Sequence, residues 1–388
     1  MPEEKSLKSI IAKLSDWCQE RRFAGYDPYD ALNSPIAWLL SLGTRPGRIA
    51  ITQFGRRSPI NYRPILGIRQ SVNPKAIGLF LEGYVKLDRL EPSIGTEKTM
   101  ALLFGKLLEL QSPNTSGAAW GYNFPWQNRF QLLPRWTPTI VNSSFIGHAL
   151  LDYYEKRGIQ EALDLALTIP DFFLNDLQRK SEGDTFCFSY TPKDVNFVHN
   201  ANMLGASLLA RIAVKYGRND LLDPALSSLR YSMNHQREDG SWFYAETKAQ
   251  RWIDSFHTGF NLESLRRFLK FGLVPEYREA YERGVEFYAN NFFMPDGEPK
   301  YYCDRLYLVD IHAPAEAISL FAGEGEKYRE LVDRIYHWTL DHMYDEKKGV
   351  FYFRKTRHFT IKTPYMRWSE AWAFRALTTL LSETVTTG

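Results

Sequence analysis

Cysteine is scarce in this 388-residue chain: Cys18, Cys187 and Cys303 are scattered and odd in number. No C-x-x-C or H-E-x-x-H spacing gathers metal-ligating side chains, so neither a zinc site nor a disulfide framework is expected. Free thiols suit a reducing compartment, and the cytoplasm is the expected location. Apolar runs fall far short of the roughly 20 residues a membrane span needs. The opening MPEEKSLKSIIAKLSDW carries acidic residues and no apolar h-region, so no signal peptide is expected. Neither G-x-x-x-x-G-K-[ST] nor G-x-G-x-x-G occurs, which removes the usual phosphate loops, and no G-x-S-x-G nucleophile elbow is present. No cofactor is expected. No two aspartates are adjacent, which counts against a terpenoid cyclase working through an Asp-rich motif. A net charge of +3, from 48 basic against 45 acidic residues, points neither to nucleic acid nor to anionic membranes as a partner.

What the chain does have is aromatic content, 10 Trp, 22 Tyr and 25 Phe, and a repeat. Small or polar residues open apolar helical stretches at Asn73, Asn142, Asn200, His257, His312 and Ser369, at intervals of 69, 58, 57, 55 and 57 residues. Gly78, Gly147 and Gly205 each stand five residues after their opener. Asn and Ser are good helix N-caps. His is a poor one, so its recurrence at two equivalent positions calls for another reason. Between these stretches lie helices of a second kind, such as 326–343, with apolar residues on one face and charge on the other. The stretch after Asn200 is apolar or small nearly all round, as a helix packed on both sides must be. Six one-faced and six two-faced helices predict an all-α chain, one domain over residues 1–388, built as two concentric rings of helical hairpins.

A third element follows each outer helix: a Gly set among aromatics. The copies are GYDPYD (25–30), WGYNFPW (120–126), GDTFCFSY (183–190), DGSWFYAE (239–246), DGEPKYY (296–302) and KGVFYFR (348–354). They predict short extended loops crowding the rim where the inner helices begin, with the working surface in a central pit beneath them. The six-hairpin pattern resembles the (α/α)6 toroid, shared by many glycoside hydrolases, polysaccharide lyases and sugar epimerases and by terpene cyclases. More narrowly, GYDPYDAL, HNAN and QREDGSW resemble the VpsJ-type polysaccharide-biosynthesis proteins. That resemblance implies a glycan-related role beside polysaccharide-synthesis proteins and assigns no catalytic residue. Gln236, Asp239, Gly240 and Trp242 are similar to the Q-x-x-D-G-x-W motif of triterpene cyclases, where it braces helices and does no chemistry.

The candidate chemistry sits at the helix mouths. Asp254 with His257, in RWIDSFHTGF, and Asp310 with His312, in LVDIHAP, pair a carboxylate with an imidazole, an arrangement suited to proton transfer near neutral pH. Either Asp254 or Asp310, acting with Asp27, is the expected acid–base pair. The bland alternative is that Asp27 forms a turn before Pro28 and that the Asp–His pairs are capping networks. His199, Asn200 and Asn202 suit sugar hydroxyls, since an amide both donates and accepts. Arg129 or Arg367 would grip an acidic sugar, and Trp126, Trp252 and Trp368, with Glu370 beside the last, would line the sugar site. The expected function is cleavage of a glycosidic bond in an oligosaccharide, by hydrolysis or by elimination from a uronate. The alternatives are a non-catalytic toroid that binds a glycan or a synthase, and a terpenoid or prenyl enzyme.

Overall fold

A computed structural model describes residues 4–128 and 131–387. The helices in chain order are α1 (Glu4–Glu20), α2 (Pro35–Leu40), α3 (Arg45–Arg57), α4 (Pro74–Leu90) and α5 (Ile94–Glu109). They continue with α6 (Ile140–Arg157), α7 (Gln160–Asn175), α8 (His199–Tyr216), α9 (Leu222–Asn234), α10 (Ser255–Lys270) and α11 (Arg278–Asn291). The last three are α12 (His312–Phe321), α13 (Arg329–Met343) and α14 (Ala371–Thr387). Among the described residues no helix is long and apolar enough to cross a membrane. The chain forms two compact units: Met1–Pro113 with Trp120–Thr137 and Tyr307–Gly388, and Asn114–Ala119 with Pro138–Leu306.

In the first unit α14 packs against both α4 and α12, and these three are backed by α1, α5 and α13 respectively. In the second, α8 packs against both α6 and α10, and α7, α9 and α11 back the three. The burial patterns state the division of labour expected from the sequence. Helix α8 is buried without a break from His199 to Ala213, because it is covered by neighbours on every side. Helix α11 buries only Tyr281, Gly284, Val285 and Tyr288, an i, i+3, i+4, i+7 stripe, and leaves its charged face to solvent. Each large side chain so buried contributes on the order of 1.5–3 kcal/mol, which is why one stripe suffices to seat an outer helix.

The repeat positions mark the helix starts but not always the cap. Asn73 is a true N-cap, its side chain accepting from the Lys75 amide, with Pro74 next. Helix α6 begins earlier than its repeat residue: Thr139 caps it by accepting from the Asn142 amide. Asp254 caps α10 in the same way through the His257 amide. His257 and Asn200 thus sit inside the first turn, while Ser369 falls within a π turn over Met366–Glu370 that leads into α14. The aromatic loops are extended as expected. Arg179–Glu182 pairs with Thr185–Phe188 across a turn at Gly183, and Tyr344–Asp345 pairs with Val350–Phe351. Asp310 lies on a short strand that pairs with Arg354–Lys355, which in turn pairs with Thr360–Ile361.

Candidate active site

The second unit holds a small pocket of about 10 Å³ at the start of α10, room for about one water molecule, lined by Asn200, Trp242, Tyr244, Asp254, His257 and Asn261 among others. Its centre is an Asp–His pair. His257 Nδ1 lies 2.7 Å from Asp254 Oδ2, and the His257 backbone N–H donates to Oδ1 at 3.2 Å. Trp252 Nε1 also donates to Oδ2, at 3.0 Å, so both carboxylate oxygens are engaged. Three sequence positions, 252, 254 and 257, therefore meet because a helix cap folds the chain back on itself. The Asp254 side chain is fully buried whereas that of His257 is 23% exposed. An ionised carboxylate on Nδ1 fixes the proton there and leaves Nε2 with a lone pair, the tautomer a general base requires. Tyr244 stacks on Trp252 at 4.7 Å and 12° and stands 4.7 Å from the His257 ring, forming an aromatic wall.

Two amides complete the cleft. Asn200 and Asn261 are 2% and 3% exposed, and the Oδ1 atom of each has no protein hydrogen-bond partner. A buried carbonyl oxygen without a partner is costly by about 1–3 kcal/mol, so each of these two oxygens has capacity left for a donor such as a water or a hydroxyl. His199 and Asn202, by contrast, are committed to the protein. His199 bridges Ser232 and Glu246, and burial pushes its pKa down. Asn202 accepts from the Phe188 amide and the Ser228 hydroxyl and donates to the Ser228 carbonyl and Ser232. Its expected part in binding sugar gives way to that of a bracket between α8 and α9, because all its hydrogen-bonding capacity is used.

The first unit gathers the other candidates into a buried charge network. Arg367 forks onto Asp27, Nε to Oδ2 at 2.5 Å and a second nitrogen to Oδ1 at 2.8 Å, while Oδ1 also accepts from the Tyr29 amide. Asp30 is clamped in turn by Arg63 at 2.6 Å. Asp310 accepts from Arg354 at 2.5 Å, from Trp368 Nε1 at 2.8 Å and from the His312 amide at 3.1 Å. Burial works to raise the Asp310 pKa, but Arg354 and His312 outweigh it and hold the carboxylate well below its usual range. Burial pushes His312 down to about 3, and its ring is wedged edge-on to Trp368 and Trp372. Burial also pushes Glu370 well up, while the Phe351 amide donates to it. Trp126 stands edge-on to Tyr29 and Tyr122. Arg129 lies outside the described residues.

The expected carboxylate pair thus meets a different geometry. Asp27, Asp254 and Asp310 are each held on both oxygens, and Arg367, Trp368 and Glu370 are buried in contacts with the chain rather than presented to a sugar. Three residues escaped the sequence reading. Asn261 stands one turn after His257 on the same face, a spacing that would have revealed it. Tyr244 lies in an aromatic loop that folds back on Trp252, and Arg354 pairs with the strand of Asp310, 44 residues earlier, which no local pattern discloses. Lys75 is buried in the first turn of α4, with its pKa pushed well down by burial and then by Arg367.

No protein-family model matches the chain, and no curated protein does. Solved structures do. A cellobiose 2-epimerase from Bacillus thermoamylovorans B4167 superposes with TM-score 0.64 at 13% identity, over 83% of this chain and 90% of that one. A GH76 alpha-mannanase from Bacteroides thetaiotaomicron gives TM-score 0.64 at 11% identity, over 83% and 90%. A family 88 glycosyl hydrolase from Bacteroides vulgatus gives 0.61 at 10%, over 99% of each. The fold is the (α/α)6 toroid of helical hairpins, with aromatic clusters in its loops. At such identities the likeness concerns fold, and chemistry has to be argued from the side chains.

Proposed function

We propose that the chain is a carbohydrate-active enzyme of glycan metabolism in which His257, oriented by Asp254, moves a proton at a carbon of a neutral sugar. The observation that carries this is the 2.7 Å Asp254–His257 pair opening on a cleft with two unpartnered amide oxygens. In an open-chain reducing sugar the C2 proton is acidified by the C1 aldehyde. His257 Nε2 would take that proton, the C–H pair would form a C1–C2 double bond as the carbonyl pair moves onto O1, and delivery of the proton to C1 while the O2–H proton passes to O1 would complete an aldose–ketose isomerisation. Asn200 and Asn261 would accept sugar hydroxyls, and Tyr244 with Trp252 would flank the ring or chain. The likeness to an epimerase and the resemblance to VpsJ-type proteins both support a sugar substrate; the resemblance adds the company of polysaccharide-synthesis proteins, and the free cysteines suit the cytoplasm.

Glycosidic hydrolysis by two carboxylates has less support, since Asp27, Asp254 and Asp310 each have both oxygens bound. Elimination from a uronate would use the same His257 base, but the residues lining the cleft include no Lys or Arg to meet the sugar carboxylate. The test is incubation of reducing mono- and disaccharides in D₂O with the wild-type chain and with His257→Gln. Wild type should wash deuterium into C2, and the variant should lose at least about 10²-fold of that rate. Cleavage of a glycan with undiminished rate in His257→Gln would sink the proposal. Sugar binding with no exchange by wild type would leave the non-catalytic alternative standing in its place.

A further inference from the structure

The near-neutral total charge conceals a segment with no negative side chain. Between Asp30 and Glu82 the sequence has six Arg and one Lys but neither Asp nor Glu, in a chain where acidic residues otherwise keep pace with basic ones. This stretch includes α2, α3 and the loop that follows them, a lobe of the first unit inserted before α4. The same lobe is where large apolar side chains are turned to solvent. Of the exposed large apolar residues among those described, half fall between Ile36 and Ile65. Ile36, Leu39 and Leu40 are 49%, 76% and 60% exposed and share one face of α2 at i, i+3, i+4, and Leu42, just beyond it, is 82% exposed. The Ser34 hydroxyl donates to the Leu66 carbonyl at 2.5 Å, which brings Ile65, 74% exposed, to the same end of the lobe.

Scattered exposed apolar residues need no explanation, but such a concentration marks a surface that meets something else. The charge says what. Arg57 and Arg69 are exposed in the same lobe, and the segment itself contributes no acidic side chain. Trp38 is half-buried at its base, under the Arg48 guanidinium. Apolar side chains projecting from a short helix, with a Trp at their root and arginines in the same acid-free segment, are the composition that seats in the headgroup layer of an anionic bilayer. An apolar protein groove would accept the leucines but gives no reason for acids to be excluded over some fifty residues.

We infer that the 34–69 lobe is a peripheral docking surface for anionic lipid, placing the chain on a membrane without spanning it. The experiment is sedimentation of the whole protein with vesicles of phosphatidylcholine, alone or with about 30 mol % phosphatidylglycerol, at about 50 and 500 mM salt. Binding should be at least about tenfold stronger to the anionic vesicles and should weaken at high salt. Leu39→Ser with Leu42→Ser, at positions too exposed to hold the fold, should lower binding at least about tenfold. Arg57→Glu with Arg69→Glu should erase the preference for anionic lipid. Equal binding to both vesicles, absence of binding, or self-association through Leu39 and Leu42 in lipid-free ultracentrifugation would each overturn the inference.

Discussion

At the scale of the residue, Asp254 carries two duties that a single substitution separates. It caps α10 and it orients His257. Asparagine caps as well as aspartate, but its amide cannot stabilise the imidazolium that forms when His257 takes a proton. Asp254→Asn should therefore keep the cap, lose about 1–3 kcal/mol where its NH2 meets the Trp252 N–H, and drop kcat on the proposed substrate by on the order of 10²–10⁴. A variant that melts early and keeps its turnover would assign Asp254 to the cap alone. His312 predicts a pH dependence. Its folded pKa, about 3, lies below the ordinary 6.5, so the unfolded chain takes up the proton first. Stability should then fall as pH drops from 6.5 towards 3, with buried His199 acting in the same sense. Urea denaturation across that window should show a shallower slope for His312→Asn, and parallel curves would contradict the assignment. These side chains were nameable from spacing alone, because a cap and the residue three positions later must be neighbours. Their partners were not: Arg354 reaches Asp310 and Arg367 reaches Asp27 through tertiary contacts that leave no local trace.

At the scale of the element, the sequence disclosed most where period and burial agree. The six covered helices and their one-faced partners could be read directly, because a helix enclosed on all sides has no room for a charged stripe. What could not be read was the offset between repeat position and helix cap, since Thr139 and Asp254 each cap from three residues upstream. The Q-x-x-D-G-x-W segment behaves as the brace it resembles. Gln236 donates to the carbonyls of Gly240 and Ala280, tying the turn after α9 to α11, and Trp242 donates to the Ser232 carbonyl. Gly240 is the hinge of that tie, with φ of +88° and room for no side chain: a Cβ there would lie 2.6 Å from the Arg283 backbone. Gly240→Ala should cost about 1–3 kcal/mol, read as a lowered denaturation midpoint, with the His257 chemistry retained. No change in the midpoint would mean that the turn relaxes freely and braces nothing.

At the scale of the whole molecule, we propose that the two compact units belong to one domain, as the unbroken repeat in the sequence implies. One calorimetric transition, with equal calorimetric and van't Hoff enthalpies, is the expected outcome, and two resolved transitions would contradict it. The docking lobe was invisible at this scale for a reason worth stating physically: a sum over 388 residues averages away a block of one sign. The Arg367–Asp27 fork joins side chains 340 residues apart. A ribosome adding about 5–20 residues per second would need roughly 17–70 s to deliver the arginine after the aspartate. Throughout that interval the Asp27 carboxylate stays hydrated and α1 lacks the helix it packs on, so the growing chain must be kept from aggregating until Arg367 and α14 arrive.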